Sequence, residues 1–178
     1  GSYIIFNPSL ATPALTTGWE PHLGSKYAAC FDAVTASAPN DDWLITPQLT
    51  LGTGYDLDFF AKSYTDQYGL ERFKVGVSTT GTNVGDFTII SPGAYLEAPL
   101  TWTNYNYDLS AYAGQDVYIA IICISNDAFA FFLDDISINN AKGESVFAQD
   151  FEENSSKSDN ITYTQRVSTG GEPPRALS

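Results

Sequence analysis

An all-β fold, a sandwich or a barrel, is what this chain of 178 residues predicts. Apolar residues come in short runs, turn-forming residues separate the runs, and apolar positions at helical spacing are hard to find. Helix is therefore expected to stay below about a tenth of the chain, against an ordinary share of roughly a third. Hydrophobic residues make up 43%, enough for a core, and the length suits one domain with or without an added segment.

The elements follow from the punctuation. Residues 7–24 are rich in Pro, Thr and Gly and read mostly as loop. Candidate strands at 43–49 and 55–63 flank Leu51-Gly52-Thr53-Gly54. Those at 73–79 and 87–90 flank Thr80-Gly81-Thr82-Asn83, and Ser91-Pro92-Gly93 closes the second. Strands at 103–109 and 116–125 flank Ala113-Gly114-Gln115, and a last one spans 129–139. Composition shifts after Asn140, so residues 1–140 are read as the main domain and 141–178 as a C-terminal extension. That extension is expected to pack back on the sandwich. ISINN-AKGE-SVFAQDF has the layout of a hairpin, with a Gly-containing turn between two strands, and places 146–152 antiparallel to Ile136 and Ile138. ITYTQRV offers a further strand, and the whole tail is expected beside the FFLDDISI strand.

Charge narrows the function classes. Asp and Glu number 21 against 8 Lys and Arg, a net charge of −13. That balance argues against nucleic acid or an anionic membrane surface as partner and is compatible with cation binding. No apolar run approaches the ~20 residues of a spanning helix, so membrane insertion is not expected. Cys30 and Cys123 form no metal motif; one disulfide and two free buried thiols both remain open.

Four segments in order, NDDWLITPQLTL (40–51), FKVGVSTTGTNVGDFTII (73–90), TWTNYNYDLSAYAGQDVYIAI (101–121) and FAFFLDDISI (129–138), carry a family likeness. Together they resemble the cleaved-adhesin, or choice-of-anchor J, family of bacterial β-sandwich modules, to which the gingipain adhesin domains belong; the MAM domain is a more distant likeness. The resemblance covers roughly residues 18–140. It implies a two-sheet antiparallel jelly-roll sandwich of galactose-binding-like architecture, exported to the cell surface. It also implies non-catalytic adhesion to a host or cell-surface protein or glycan, and structural calcium with an acid on the last strand as ligand. One departure stands out. Such domains open with a strand like F-x-x-x-F-E ahead of the Gly-Trp, here Gly18-Trp19, whereas this chain opens with SYIIFNPSL and carries FAQDFEE at 147–153. That segment is either the start of a next module or a stand-in for the missing opening strand.

FFLDDISI poses the main chemical question. Read with period 2, Asp134 is in phase with Phe132, Ile136 and Ile138, which puts a carboxylate on the core face. An unpartnered buried carboxylate is very costly. Basic residues are scarce, Asp135 is adjacent, and the hairpin brings Asp150 and Glu152 near. Such a set suits Ca²⁺, which takes oxygen ligands. The expected metal set is Asp134, Asp135, Glu152 and Asp42; the alternative is that backbone N–H groups at a bulge hold Asp134.

Among the aromatics, Tyr105 and Tyr107 share the phase of Leu109 and are assigned to the core, as is Trp43. Trp102, Tyr64 and Tyr68 fall near strand ends or loops and are the candidates for sugar stacking, the basis of an alternative carbohydrate-binding role. Catalysis finds little support. His22 is the only histidine, sits in a Pro/Gly-flanked loop, and is expected to lack a partner for acid–base work. No zinc cluster, G-x-S-x-G elbow or cysteine-nucleophile motif is present. A two-carboxylate glycoside hydrolase remains the enzyme alternative, since it needs only a pair of acids.

Overall fold

The computed structural model describes residues 2–32 and 39–152, together with the backbone of a strand at 162–165. Thirteen strands form two antiparallel sheets, and helix is confined to three short 3₁₀ turns among the described residues. The first sheet runs β1 (Tyr3–Phe6), β2 (Tyr27–Phe31), β11 (Ala130–Asn140), β5 (Tyr55–Ser63), β9 (Thr103–Asp108), with β12 (Ser145–Gln149) also paired to β11. The second runs β13 (Thr162–Gln165), β3 (Asp42–Ile45), β10 (Asp116–Cys123), β6 (Arg72–Ser78), β7 (Thr88–Ile89). Two short strands complete it: β4 (Leu49–Thr50) beside β10 and β8 (Leu96–Glu97) beside β6.

Alternation places three apolar layers. Leu57, Phe59, Val75, Ile119, Ile121, Phe131 and Leu133 meet between the sheets, with Phe73 stacked on Phe131 at 5.3 Å. Each fully buried side chain of this size contributes about 1.5–3 kcal/mol. Tyr105 and Tyr107 lean on Phe59 and are half-buried, in keeping with their assignment to the core. Outside the first sheet, Tyr27, Ala29, Ala130 and Phe132 form a second cluster. Trp43 is buried, but outside the second sheet, where Phe87 covers it.

Several strands depart from the expectation. The 43–49 run divides because Pro47 cannot donate to a ladder; Thr46 bridges the break, its N–H bonding Ile119 O and its hydroxyl accepting from Ile119 N. Strands β1 and β2 lie where no strand was expected. The hairpin is present: Ile136 pairs with Gln149 and Ile138 with Phe147, around a turn in which Gly143 has φ +81°. Residues 147–149 therefore pair within this chain. From that run, Thr162–Gln165 forms β13 not beside β11 but on β3 of the second sheet, with Thr162 opposite Ile45. The rest of the tail lies outside the described residues.

Candidate functional site

A bulge in β11 resolves the placement of Asp134. Asp134 pairs with Phe60 and Ser137 with Asp58, so β11 spends one residue more than β5 over this interval. The extra residue is Asp135, held at φ +48°. The bulge reverses the phase. Before it, Phe131 and Leu133 face the core while Phe132 and Asp134 face outward; after it, Ile136 and Ile138 face the core. Asp134 thus shares the face of Phe132 but not that of Ile136 and Ile138, and the inward placement is corrected. Asp134 is nonetheless fully buried, because the 18–26 segment crosses the outer face above it.

Backbone amides hold the carboxylate. His22 N donates to Oδ2 at 3.0 Å and Leu23 N at 3.4 Å, while Asp135 N donates to Oδ1 at 2.9 Å. Burial, aided by the charge of Asp135, still pushes the Asp134 carboxyl up to about 7, against the opposing pull of those three amides. The same crossing segment is fixed elsewhere. Lys62, on β5, donates its Nζ to Gly18 O at 2.8 Å and lies over the rings of Trp102 and Phe132; burial lowers its pKa. Trp102 donates to Glu20 O at 3.0 Å, and Tyr27 to Trp19 O at 3.0 Å. Farther on, Ser25 N and Lys26 N donate to Glu152 Oε1 at 2.7 and 2.6 Å. Burial pushes the Glu152 carboxyl up, but those hydrogen bonds outweigh it and leave the pKa lowered. Gly24 makes this contact possible: its φ is +64°, and a Cβ there would meet Glu152 Cδ at 2.4 Å.

His22 is not a lone loop histidine. Its Nδ1 donates to Asp135 Oδ2 at 2.6 Å, and its ring stacks on Phe60 at 3.6 Å between centroids. Beside this pair opens a groove of about 520 Å³, bounded by the end of the crossing segment, strands β5 and β9, and the β11–β12 hairpin. Asp58, Asn104, Asp135, Ser137, Gln149 and Asp150 supply polar groups; Phe60 and Ala148 supply apolar surface. Nothing in the sequence marked Asp58, Asn104 or Gln149, which become neighbours only through strand register. The alternation of acids on β5 was the one available signal.

The expected site residues do not gather. Asp134 and Asp135 lie together at the bulge, but Glu152 is engaged by Ser25 and Lys26. Asp42 faces the core, where it accepts from Asn40 Nδ2 at 2.7 Å and from the Cys30 thiol at 3.4 Å. Among the described residues no three His, Cys, Asp or Glu side chains converge as a metal centre. Of the stacking candidates, Tyr64 packs against Trp19 at 4.3 Å and Trp102 lies 6.1 Å from the His22 ring. Both help to seat the crossing segment. Tyr68 is exposed and apart from them, its hydroxyl accepting from Gln67 Nε2.

A two-sheet sandwich with a polar groove on one outer face is a β-sandwich binding module. The Cleaved Adhesin Domain family model matches residues 12–138, and the chain belongs to that family. Two curated relatives, both Hemagglutinin A of Porphyromonas gingivalis, are 28% identical over 116 residues and 31% over 118. Each match covers 56% of this chain but only 5% and 4% of the relative, so the chain corresponds to a small part of those proteins. Among solved structures, the K2 cleaved adhesin domain of Lys-gingipain matches with a TM-score of 0.57 at 24% identity, over 77% of this chain and 82% of that one. The K3 domain from P. gingivalis W83 matches at 0.53 and 22%, over 77% and 90%. These likenesses agree on the fold.

Proposed function

We propose that this adhesion module recognises a hydroxyl-rich, uncharged or basic ligand displayed on a cell surface, such as a neutral glycan, and that the outer-face groove receives it. The observation that carries the reading is the groove's lining. Carboxylates and side-chain amides line the groove together with apolar surface, which is the mixture that fixes a polar ligand's orientation within a concave site. The acidic lining and the net charge of −13 disfavour sialylated or sulfated partners. The family and the hemagglutinin relatives support an exported location and make red cells the first surface to test.

The reading is non-catalytic. Among the described residues no Ser, Thr or Cys side chain bonds His22, whose ring is covered by Phe60 and tied to Asp135. Multivalent display of the module should bind red cells and neutral glycans on an array, and Asp58→Ala with Asn104→Ala should reduce that binding at least tenfold. Retained binding by the double variant at unchanged melting temperature would move the ligand elsewhere. Three carboxylates around one groove are also what a two-carboxylate glycosidase requires. Turnover of a chromogenic glycoside that disappears in Asp58→Asn would replace the binding reading with that one.

A further inference from the structure

The chain's two cysteines lie near one another, where β1 and β3 approach across the sandwich. On the first sheet, Tyr3 of β1 lies directly opposite Cys30 of β2. On the second, Asp42 of β3 lies directly opposite Cys123 of β10. The backbones of β1 and β3, one from each sheet, approach within 8 Å. All four side chains are buried, and Tyr3, Cys30 and Cys123 belong to the core cluster between the sheets. The Cys30 thiol crosses from the first sheet to the second to donate to Asp42, whose neighbour across the strand pair is Cys123. Packed sheets normally stand about 10 Å apart. A local approach closer than this is what a bridge between inward-pointing cysteines needs.

We propose that Cys30 and Cys123 are a thiol pair that closes to an inter-sheet disulfide in an oxidising environment. The oxidant is an external disulfide, such as oxidised glutathione. One protein thiolate attacks it, forms a mixed disulfide and releases one small thiol. The second protein thiolate then displaces the other, so two protein S–H bonds are lost, one S–S bond forms and the oxidant leaves as two thiols. Loss of the Cys30 donor does not strand Asp42, because Asn40 Nδ2 still reaches it at 2.7 Å. The contact with Cys123, burial and the nearby Asp42 charge all hold the Cys30 thiol well above its ordinary pKa, so the folded, reduced protein reacts slowly. The bond is therefore made while the chain folds or when the sandwich opens there, and burial then protects it from reductant.

The test is to denature and reduce the full chain, then refold it in a glutathione redox buffer and, in parallel, in excess dithiothreitol. The glutathione sample should weigh about 2 Da less, show no thiol titratable in guanidinium, run as a monomer and melt about 5–15 °C higher, as expected for closing a long loop. Cys30→Ser and Cys123→Ser should each abolish the difference between the two buffers. If a serine variant fails to fold, Cys30→Ala and Cys123→Val take its place. Two titratable thiols per chain after glutathione refolding, glutathione adducts, or dimers linked between chains would each overturn the proposal.

Discussion

Asp134 shows how far one residue's role depends on its neighbours' backbone. The sequence displayed an acid inside an apolar strand, and that acid is buried, but the amides that hold it belong to His22, Leu23 and Asp135 and carry no residue signature. Removing the carboxylate leaves buried N–H groups without acceptors, at about 1–3 kcal/mol each. Asp134→Ala should therefore lower stability by about 2–4 kcal/mol, measured by denaturant unfolding. Asp134→Asn keeps one acceptor oxygen and should lose less. Calcium belongs to the same question. With Asp134 satisfied by amides, Asp135 by His22 and Glu152 by Ser25 and Lys26, melting in millimolar calcium and in EDTA should coincide. A calcium-dependent rise that Asp135→Ala removes would mean that these carboxylates exchange their present partners for the ion. His22→Ala should lower groove binding several-fold, because it removes the partner of Asp135 and the cover of Phe60. Binding by surface plasmon resonance checks this.

At the scale of elements, the 18–26 segment and β12 act as a latched pair over the β11 bulge. β2 pairs β11 at 130–133 and β12 pairs it from Ile136 onward, so the bulge sits between the two partner strands, where Glu152 ties the segment after β12 to the segment before β2. Gly24→Ala should break that tie, since the added methyl overlaps Glu152 and the φ of +64° is strained for any other residue. A loss of about 1–2 kcal/mol is expected. Phe147 and Phe151 bring the tail into the main core, so deleting residues 145–178 should lower the melting point sharply; an unchanged value would make the tail a passenger. The strands bounded by glycine and proline turns were legible because their punctuation is local. The tail hairpin was legible for the same reason. The bulge was not, since period-2 reading assumes a regular strand. β1 and β2 were not either: YAACF is short and alanine-rich, and its burial depends on Trp19, Phe6 and Phe132 arriving from elsewhere.

For the whole molecule, the carboxylates set a pH dependence with a definite sign. Burial pushes both Asp134 and Glu71 up to about 7, well above the ordinary carboxylate range. A carboxyl whose folded pKa lies above its unfolded value holds its proton more tightly in the folded state. Its stabilising contribution is complete below the unfolded pKa and is lost as pH rises toward the folded one. Both groups therefore erode stability between about pH 4 and 7, and the chain's −13 charge adds repulsion over the same interval. Glu152 and Asp108 act in the opposite sense: their lowered values stabilise above the unfolded pKa and lose that contribution as pH falls below about 4. The two trends cross in mildly acid solution. The melting temperature should peak near pH 4.5–5 and fall by several degrees toward pH 7.5, in contrast to proteins whose paired carboxylates favour neutrality. Asp134→Asn and Glu71→Gln should each flatten the slope between pH 5 and 7, and the double variant should flatten it most. A melting temperature that climbs from pH 5 to 7 in the wild type would show that both acids stay ionised in the folded state.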